Sequence, residues 1–209
     1  MSRTLVLLDW NGTVMSDTER ARDATNAVLR GRGLPDLTTD QFRHAFRLPM
    51  TAFLTGLGVH DVDRAEHEWN THLAGTPARP RPEAKAVLAE LVAGGATVGV
   101  ISAAATHAVR ADARAAGLEP LLTVVDGGVA DKLGRLREHR GDYGRAVYVG
   151  DTEYDVRCAR SADYRPVAIT GGYRPADALR AAGPDHLVDT LAALPGILAE
   201  PARVRIAGW

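Results

Sequence analysis

The sequence predicts an α/β fold, in which a parallel β-sheet lies between two layers of helices and a block of helices is inserted after the first strand. Residues 5–8 are continuously apolar, which is typical of a strand buried on both faces of a parallel sheet. From residue 83 onward, short apolar runs alternate with helical patterns. Between these two regions, residues 18–73 carry helical periodicity instead, and this predicts the insertion.

The first predicted strand ends at a carboxylate. Asp9 follows Leu8, and Gly12 and Thr13 then turn the chain. Ligands of open α/β sheets bind beyond the carboxyl ends of the strands, so Asp9 is well placed for chemistry. Trp10 follows on the opposite face and is predicted to pack in the core.

The inserted segment predicts a small helical bundle joined back to the sheet by a stiff linker. The predicted helices are 18–30, one capped by Asp40 and interrupted by Pro49, one through Phe53, Leu54 and Leu57, and one from about Asp63. Residues 76–82 read Thr-Pro-Ala-Arg-Pro-Arg-Pro, which is extended and cannot be helical. We therefore expect a core domain of residues 1–14 and 82–209 and an inserted domain of residues 15–81.

The second half of the chain predicts the remaining strands and their crossover helices. In order, the expected elements are a helix over 84–92, strand 97–101, helix 105–116, strand 121–125, a helix capped by Asp131, strand 146–149, helix 153–162, strand 167–169, helix 175–182, strand 186–188 and a last helix near 190. The tail after Pro201 carries no clear pattern.

Composition excludes several classes of function. The formal charge is −1, from 25 basic and 26 acidic residues, so there is no net field to recruit nucleic acid or an anionic membrane. No stretch approaches the roughly 20 apolar residues of a membrane span. Cys158 is the single cysteine, which rules out an internal disulfide and favours a reducing compartment. We expect a cytoplasmic protein that is a monomer or a homodimer.

Four short stretches, each at a predicted strand end or helix start, carry polar residues. They are Asp9-Trp10-Asn11-Gly12-Thr13, Ser102 after Val98-Gly99-Val100-Ile101, Asp131-Lys132-Leu133, and Val149-Gly150-Asp151-Thr152-Glu153-Tyr154-Asp155. In this order they resemble the four motifs of the haloacid dehalogenase-like hydrolases, a superfamily made up mostly of magnesium-dependent phosphatases. The resemblance runs from about residue 5 to 194. It implies a Rossmann-like, three-layer α/β/α core with an α-helical cap.

Elementary electrostatics supports a metal site in the same place. Asp9, Asp151 and Asp155 would converge on one sheet edge, where their mutual repulsion would raise their pKa values. A hard divalent cation with oxygen ligands, most simply Mg²⁺, would relieve this repulsion.

The resemblance also assigns roles to residues. It implies that Asp9 is the nucleophile, that Asp9 and Asp151 bind Mg²⁺ directly with the backbone carbonyl of Asn11, and that Asp155 acts through water. The phosphate would be held by the side chains and loop that follow the strands, namely Thr13, Ser102, Ala103 and Lys132.

Asn11 departs from the family pattern, because the phosphatases carry an acid/base Asp at this position. An Asn can hydrogen-bond a leaving oxygen or a water but cannot transfer a proton, and such assistance is typically worth about 10²–10⁴-fold in rate. The enzyme would then be slow, would use substrates with good leaving groups, or would borrow another acid. Asp17, Glu19 and His44 are the conceivable substitutes.

Two other chemistries of the superfamily fit less well. The phosphonate-cleaving members use a cap lysine, and residues 14–82 contain no lysine. The members that cleave carbon–halogen bonds need no metal, so the full acidic motif of Asp151 and Asp155 counts against them. Hydrolysis of a phosphate ester remains the best enzymatic interpretation.

The inserted helices resemble the cap of the phosphoglycolate and sugar-phosphate phosphatase branch. Residues 46–50, Phe-Arg-Leu-Pro-Met, resemble its Gly-x-Pro specificity loop, with Arg47 in place of the Gly. One hypothesis is that Arg47, alone or together with Arg43, pairs with a carboxylate or a second phosphate of the substrate. The alternative is a solvated arginine at a helix end.

The sequence therefore predicts Mg²⁺-dependent hydrolysis of a small phosphomonoester through an aspartyl-phosphate on Asp9. Two alternatives stay open. One is a binding or regulatory protein whose turnover is impaired by Asn11. The other is an inactive structural partner that binds no divalent metal.

Overall fold

A parallel β-sheet forms the centre of the computed structural model, which describes residues 3–200. The six strands lie in the order β3-β2-β1-β4-β5-β6, so the first strand is central and each neighbouring pair is parallel. Their bounds are β1 Thr4–Leu8, β2 Ala96–Ile101, β3 Val124–Asp126, β4 Arg145–Gly150, β5 Arg165–Ile169 and β6 His186–Val188. The predicted α/β fold class is confirmed.

Ten α-helices are described in the chain between residues 3 and 200. They are α1 Thr18–Arg30, α2 Thr39–Ala45, α3 Met50–Gly56, α4 Val62–Ala74, α5 Ala84–Ala93, α6 Thr106–Ala115, α7 Lys132–Arg140, α8 Glu153–Ser161, α9 Ala176–Ala181 and α10 Leu194–Ala199. In this same part of the chain, no helix is both long and apolar enough to cross a membrane.

The central strand is buried on both faces, as its sequence predicts. Val6 and Leu8 pack into one apolar cluster with residues of α5, α6 and α10. Leu5 and Leu7 pack into another, with residues of α7 and α8. Because alternate side chains of a strand point to opposite faces, this division places the sheet between two helical layers.

Strand register brings three chain segments to one edge of the sheet. Leu8 is level with Val100 of β2 and Val149 of β4. The backbone N–H of Asp9 continues the ladder by donating to the carbonyl of Val149 at 2.8 Å. The residues that follow β1, β2 and β4 therefore emerge side by side.

The inserted helices α1–α4, here called the cap, have an apolar core of their own, which includes Phe42, Phe46, Phe53 and Trp69. Tyr173, from the loop after β5, joins this cluster, with its ring 4.8 Å from that of Phe46. The two linkers to the cap run together, since the N–H of Ser16 donates to the carbonyl of Arg79 at 2.7 Å. The domain boundaries at 14/15 and 81/82 stay a prediction.

Three predicted elements differ from the structure. Thr38, not Asp40, caps α2, because the hydroxyl of Thr38 accepts from the N–H of Gln41 while the Gln41 side chain accepts from the N–H of Thr38. The predicted strand 121–125 begins only at Val124, since Glu119–Leu121 forms a 3₁₀ turn around Pro120. The last helix follows a second 3₁₀ turn and begins at Leu194. The tail after Pro201 lies outside the described residues.

Close packing between β2 and β3 requires a glycine. A Cβ at Gly99 would lie 2.6 Å from the Cβ of Val124 and 3.0 Å from a methyl group of Leu7. We expect Gly99→Ala to lower the free energy of unfolding by about 1–3 kcal/mol, because the overpacked strands must shift. Denaturant unfolding measures it, with Gly196→Ala as the control because a Cβ there meets nothing within 4 Å. Equal stability of the two variants would contradict this packing.

Candidate active site

Three buried carboxylates converge at the edge of the sheet. Asp9 follows β1, Asp151 follows β4, and Asp155 lies in the first turn of α8. One carboxylate oxygen from each residue lies within 4.8 Å of the other two. The structure thus brings together the three acidic residues that the sequence singles out.

Hydrogen bonds at the N-terminus of α8 orient the Asp155 carboxylate. The hydroxyl of Thr152 donates to Asp155 Oδ2 at 2.5 Å, and the backbone N–H of Thr152 donates to the same oxygen at 3.1 Å. The other oxygen, Oδ1 of Asp155, accepts from the Lys132 ammonium at 2.7 Å and from the Tyr148 hydroxyl at 3.4 Å. Gly150 makes room for the arrangement, since a Cβ there would lie 2.5 Å from the Asp155 carboxyl carbon.

Lys132 lies between two of the carboxylates. It begins α7, whose N-cap Asp131 accepts from the N–H of Gly134 as predicted. The Lys132 ammonium donates to Asp9 Oδ1 at 2.8 Å and to Asp155 Oδ1 at 2.7 Å, and its side chain is 2 % exposed. Burial by itself lowers the pKa of Lys132, but the attraction of Asp155 and Asp9 outweighs burial and raises it well above the ordinary value.

One ammonium does not neutralise three carboxylates. Burial raises the pKa of Asp9 to about 6, although Lys132 opposes this effect. Burial, with repulsion from Asp9 and Asp155, raises the pKa of Asp151 well above its usual range. A set of buried oxygen ligands with excess negative charge fits a hard divalent cation.

Asp151 is hydrogen-bonded on both carboxylate oxygens, and two glycines leave room for it. Its Oδ2 accepts from the N–H of Tyr173 at 2.6 Å, and its Oδ1 accepts from the hydroxyl of Thr13 at 3.2 Å. A Cβ at Gly12 or at Gly172 would lie 2.2 Å from Oδ2. Gly12 also has a φ of 77°, in the left-handed region.

The Asn11 side chain is hydrogen-bonded to an acidic residue in the linker that leads into the cap. Its side-chain amide donates to Asp17 Oδ2 at 2.6 Å, and the N–H of Gly12 donates to Asp17 Oδ1 at 2.8 Å. Burial raises the pKa of Asp17, an effect that these two hydrogen bonds reduce. Of the three conceivable substitute acids, Asp17 is thus the one next to Asn11. Glu19 is exposed, and the His44 ring bonds the carbonyl of Asp40.

A cavity opens over these groups, between the sheet edge and the cap. On the sheet side its lining includes Asp9, Asn11, Ser102, Ala103, Lys132 and Asp151. Ser102 is buried, and its hydroxyl oxygen accepts from the N–H of Ala104 at 3.1 Å, which leaves its hydrogen available to a ligand. On the cap side the lining includes Phe46, Leu48, Met50, Glu66, Trp69 and Asn70.

Two predicted phosphate or substrate ligands do not line this cavity. Thr13 lies beneath it and bonds Asp151, as described above. In the sequence, Arg47 stands between Phe46 and Leu48, which both line the cavity. Its own side chain donates to the carbonyl of Ala52 and borders a separate cavity with Glu153 and Arg174. In this structure Arg47 is therefore not placed to pair with a substrate anion in the cavity above the three carboxylates.

Sequence reasoning missed several residues that complete the site. Arg81 donates to the carbonyls of Gly12, Thr13 and Thr170, so it ties the motif loop to the cap linker and to the end of β5. Glu66 and Asn70 line the cavity from α4. In the sequence, the paired glycines of Gly-Gly-Tyr at 171–173 are the pattern that could have indicated a loop at Tyr173.

Comparison with known proteins assigns the family. A model of the haloacid dehalogenase-like hydrolases matches residues 6–169. The chain belongs to this family. The match runs from the middle of the first strand through the cap, Ser102, Lys132 and the acidic motif, and it confirms the predicted resemblance.

The relatives of this hydrolase include phosphatases. A phosphoglycolate phosphatase from Xanthomonas campestris pv. campestris is 29 % identical over 195 residues, covering 82 % of this chain and 85 % of that protein. A probable phosphatase, IndB, from Dickeya dadantii is 26 % identical over 215 residues and covers 93 % of each. A solved haloacid dehalogenase-like hydrolase from Streptococcus pneumoniae superposes with a TM-score of 0.82 at 16 % identity, over 94 % of this chain and 98 % of that one. The last match shows the shared fold.

The raised pKa of Asp9 predicts a pH-dependent stability in the metal-free protein. The ordinary value is 3.8 and the folded value is about 6, so the folded chain holds the proton where the unfolded chain has lost it. Stability therefore falls as the pH rises through this window. We expect Asp9→Asn to gain up to about 3 kcal/mol relative to the parent between pH 4 and pH 7, since each pKa unit is worth about 1.4 kcal/mol.

Chemical unfolding in the presence of a chelator measures this difference. Asp63→Asn, at an exposed residue of α4, is the control for the loss of one carboxylate. A difference between Asp9→Asn and the parent that stays constant from pH 4 to pH 7 would contradict the assignment.

Proposed function

We propose that this hydrolase is a Mg²⁺-dependent phosphatase that cleaves a small phosphomonoester through an aspartyl-phosphate on Asp9. The observation that carries the proposal is the contact of Lys132 with both Asp9 and Asp155 beside Asp151, at the base of a cavity that the cap lines on its other side. The phosphatases among its relatives support the same reaction class.

The acidic residues supply the metal ligands in this proposal. Asp9, Asp151 and the backbone carbonyl of Asn11 would bind Mg²⁺ directly, and Asp155 would bind through water. Their fit rests on three carboxylate oxygens within 4.8 Å of one another, which one ammonium leaves unneutralised. When bound, Mg²⁺ supplies positive charge to the phosphate oxygens and to the ionised carboxylates.

Asp9 is the nucleophile. A carboxylate oxygen of Asp9 attacks phosphorus, and the bond from phosphorus to the leaving oxygen breaks. The leaving group departs as an alkoxide or aryloxide with the electron pair of that bond and takes its proton from water. Lys132 and the Ser102 hydroxyl hold the phosphate oxygens as charge moves onto them. Water then attacks the phosphorus of the aspartyl-phosphate, which releases phosphate and restores the Asp9 carboxylate.

Asn11 restricts the first step. Its amide group donates to Asp17 and carries no transferable proton at neutral pH, so it cannot protonate the leaving oxygen. Substrates whose leaving group is stable as an anion should react almost as fast without a general acid. Alkyl phosphates should lose most of the rate that general-acid catalysis contributes.

The same residue favours a second candidate, a phosphatase-like binding or regulatory protein that retains the site but turns over little. Such a protein would bind phosphate and metal in the cavity and release no alcohol. A chain acting only as a structural partner would lack divalent-metal binding as well.

Phosphate release from aryl and alkyl phosphates, with and without Mg²⁺, distinguishes these functions. We expect Mg²⁺-dependent turnover in the parent and a loss of at least about 10³-fold in Asp9→Asn, which removes the nucleophile. Isothermal titration with Mg²⁺ accompanies the assay. Absent turnover with intact Mg²⁺ and phosphate binding would favour the binding protein, and absent metal binding would overturn both.

Asn11→Asp tests the missing acid. A carboxyl group at this position would lie beside Asp17, and two adjacent carboxyls share a proton, which is then available to the leaving oxygen. We expect kcat/KM for an alkyl phosphate to rise by about 10²–10⁴-fold. The gain for p-nitrophenyl phosphate should be much smaller, because nitrophenolate leaves without a proton. Equal gains for both substrates would show that Asn11 does not limit proton transfer.

A further inference from the structure

One face of α4 lines the cavity between the sheet edge and the cap, here called the catalytic cavity. Glu66, Trp69 and Asn70 are separated by three and four residues, so they lie on the same side of the helix, and all three line the cavity. The Glu66 side chain also borders the adjoining cavity near Gly128 and Tyr154. Glu66 therefore stands where the leaving group of a bound phosphomonoester would lie.

The Glu66 carboxylate is not neutralised by the protein. Among the described residues, no hydrogen bond or ion pair engages it. Two arginines of the cap pair with Glu68 instead, which accepts from Arg32 at 2.7 Å and from Arg64 at 2.9 Å. Of the described residues that line the catalytic cavity, Lys132 is the only lysine or arginine, and it is held by Asp9 and Asp155. The leaving-group end of the cavity is thus negative.

Aromatic and apolar side chains line the same cavity as this carboxylate. The Trp69 indole N–H donates to the hydroxyl of Thr25 at 3.0 Å, so the indole polar atom is directed into the cap. Phe46, Met50 and Tyr173 complete the wall. A cavity lined by both a carboxylate and aromatic rings suits an alkylammonium ion, through charge pairing and cation–π attraction.

We propose that Glu66 selects phosphomonoesters whose leaving group carries an ammonium group and disfavours those whose leaving group carries a carboxylate. The proposal rests on the phosphatase function and names the substrate class of that same site. It differs from the anionic leaving group that the Arg47 hypothesis predicts, because Arg47 lies outside this cavity while Glu66 lines it.

O-phosphoethanolamine and 2-phosphoglycolate form a matched pair, since each joins a phosphate to a two-carbon leaving group that ends in a cation or an anion. We expect the parent to prefer phosphoethanolamine by at least about tenfold in kcat/KM, the size of one charge-assisted contact. Glu66→Gln should reduce this ratio to near one. Glu66→Lys should reverse it, because the sign of the charge at this position changes.

Glu90→Gln is the control, because it makes the same change in charge at an exposed residue of α5 outside the cavity. A melting temperature for each variant verifies folding, and Glu66→Gln, which keeps the side-chain shape, carries the test if Glu66→Lys does not fold. A parent that prefers phosphoglycolate, or a ratio that is the same in Glu66→Gln and Glu90→Gln, overturns the proposal.

Turnover of p-nitrophenyl phosphate separates this proposal from the phosphatase function. If that ester is cleaved and the matched pair shows no preference, only the role of Glu66 fails. If no ester is cleaved, the phosphatase function fails, and calorimetric binding of the same two compounds in Mg²⁺ then reads the preference directly. Equal affinities in that measurement would also overturn the role of Glu66.

Discussion

The active-site structure depends on one electrostatic constraint, the burial of three carboxylates around a single ammonium. Lys132 contacts Asp9 and Asp155 at 2.8 and 2.7 Å, while Asp151 is held on the other side by Thr13 and by the N–H of Tyr173. Separating these groups would leave buried charges unpaired, which is strongly unfavourable. The loops after β1 and β4 and the starts of α7 and α8 are therefore fixed relative to one another by charge as well as by packing.

Backbone geometry makes this concentration of charge possible. Because β1, β2 and β4 are parallel and in register, the three loops that follow them lie at one edge of the sheet. Glycines at 12, 150 and 172 let the backbone approach the carboxylates more closely than any Cβ would permit. Arg81 links the same loops by donating to the carbonyls of Gly12 and Thr170. Through these contacts the cap linker is joined directly to the floor of the cavity.

The departure at Asn11 and the lining of the cap concern the same part of the substrate. Asn11 donates to Asp17 and offers no acid to the leaving oxygen. Glu66 and Trp69 line the same cavity from the cap, where we propose that the rest of the leaving group is bound. In the proposed reaction the motif residues act at phosphorus, and the side chains that contact the leaving group lie outside all four motifs.

The sequence by itself determined the α/β class, the parallel sheet, and the loops that carry Asp9, Ser102, Lys132 and Asp151, because strand burial and motif order are local patterns that can be counted along the chain. Tertiary structure decided what no local pattern encodes. Asn11 meets Asp17, Arg47 is directed away from the cavity, and Glu66 faces into it. The physical reason is that a side chain's partners depend on how the cap packs against the sheet edge, and that packing joins residues far apart in the chain.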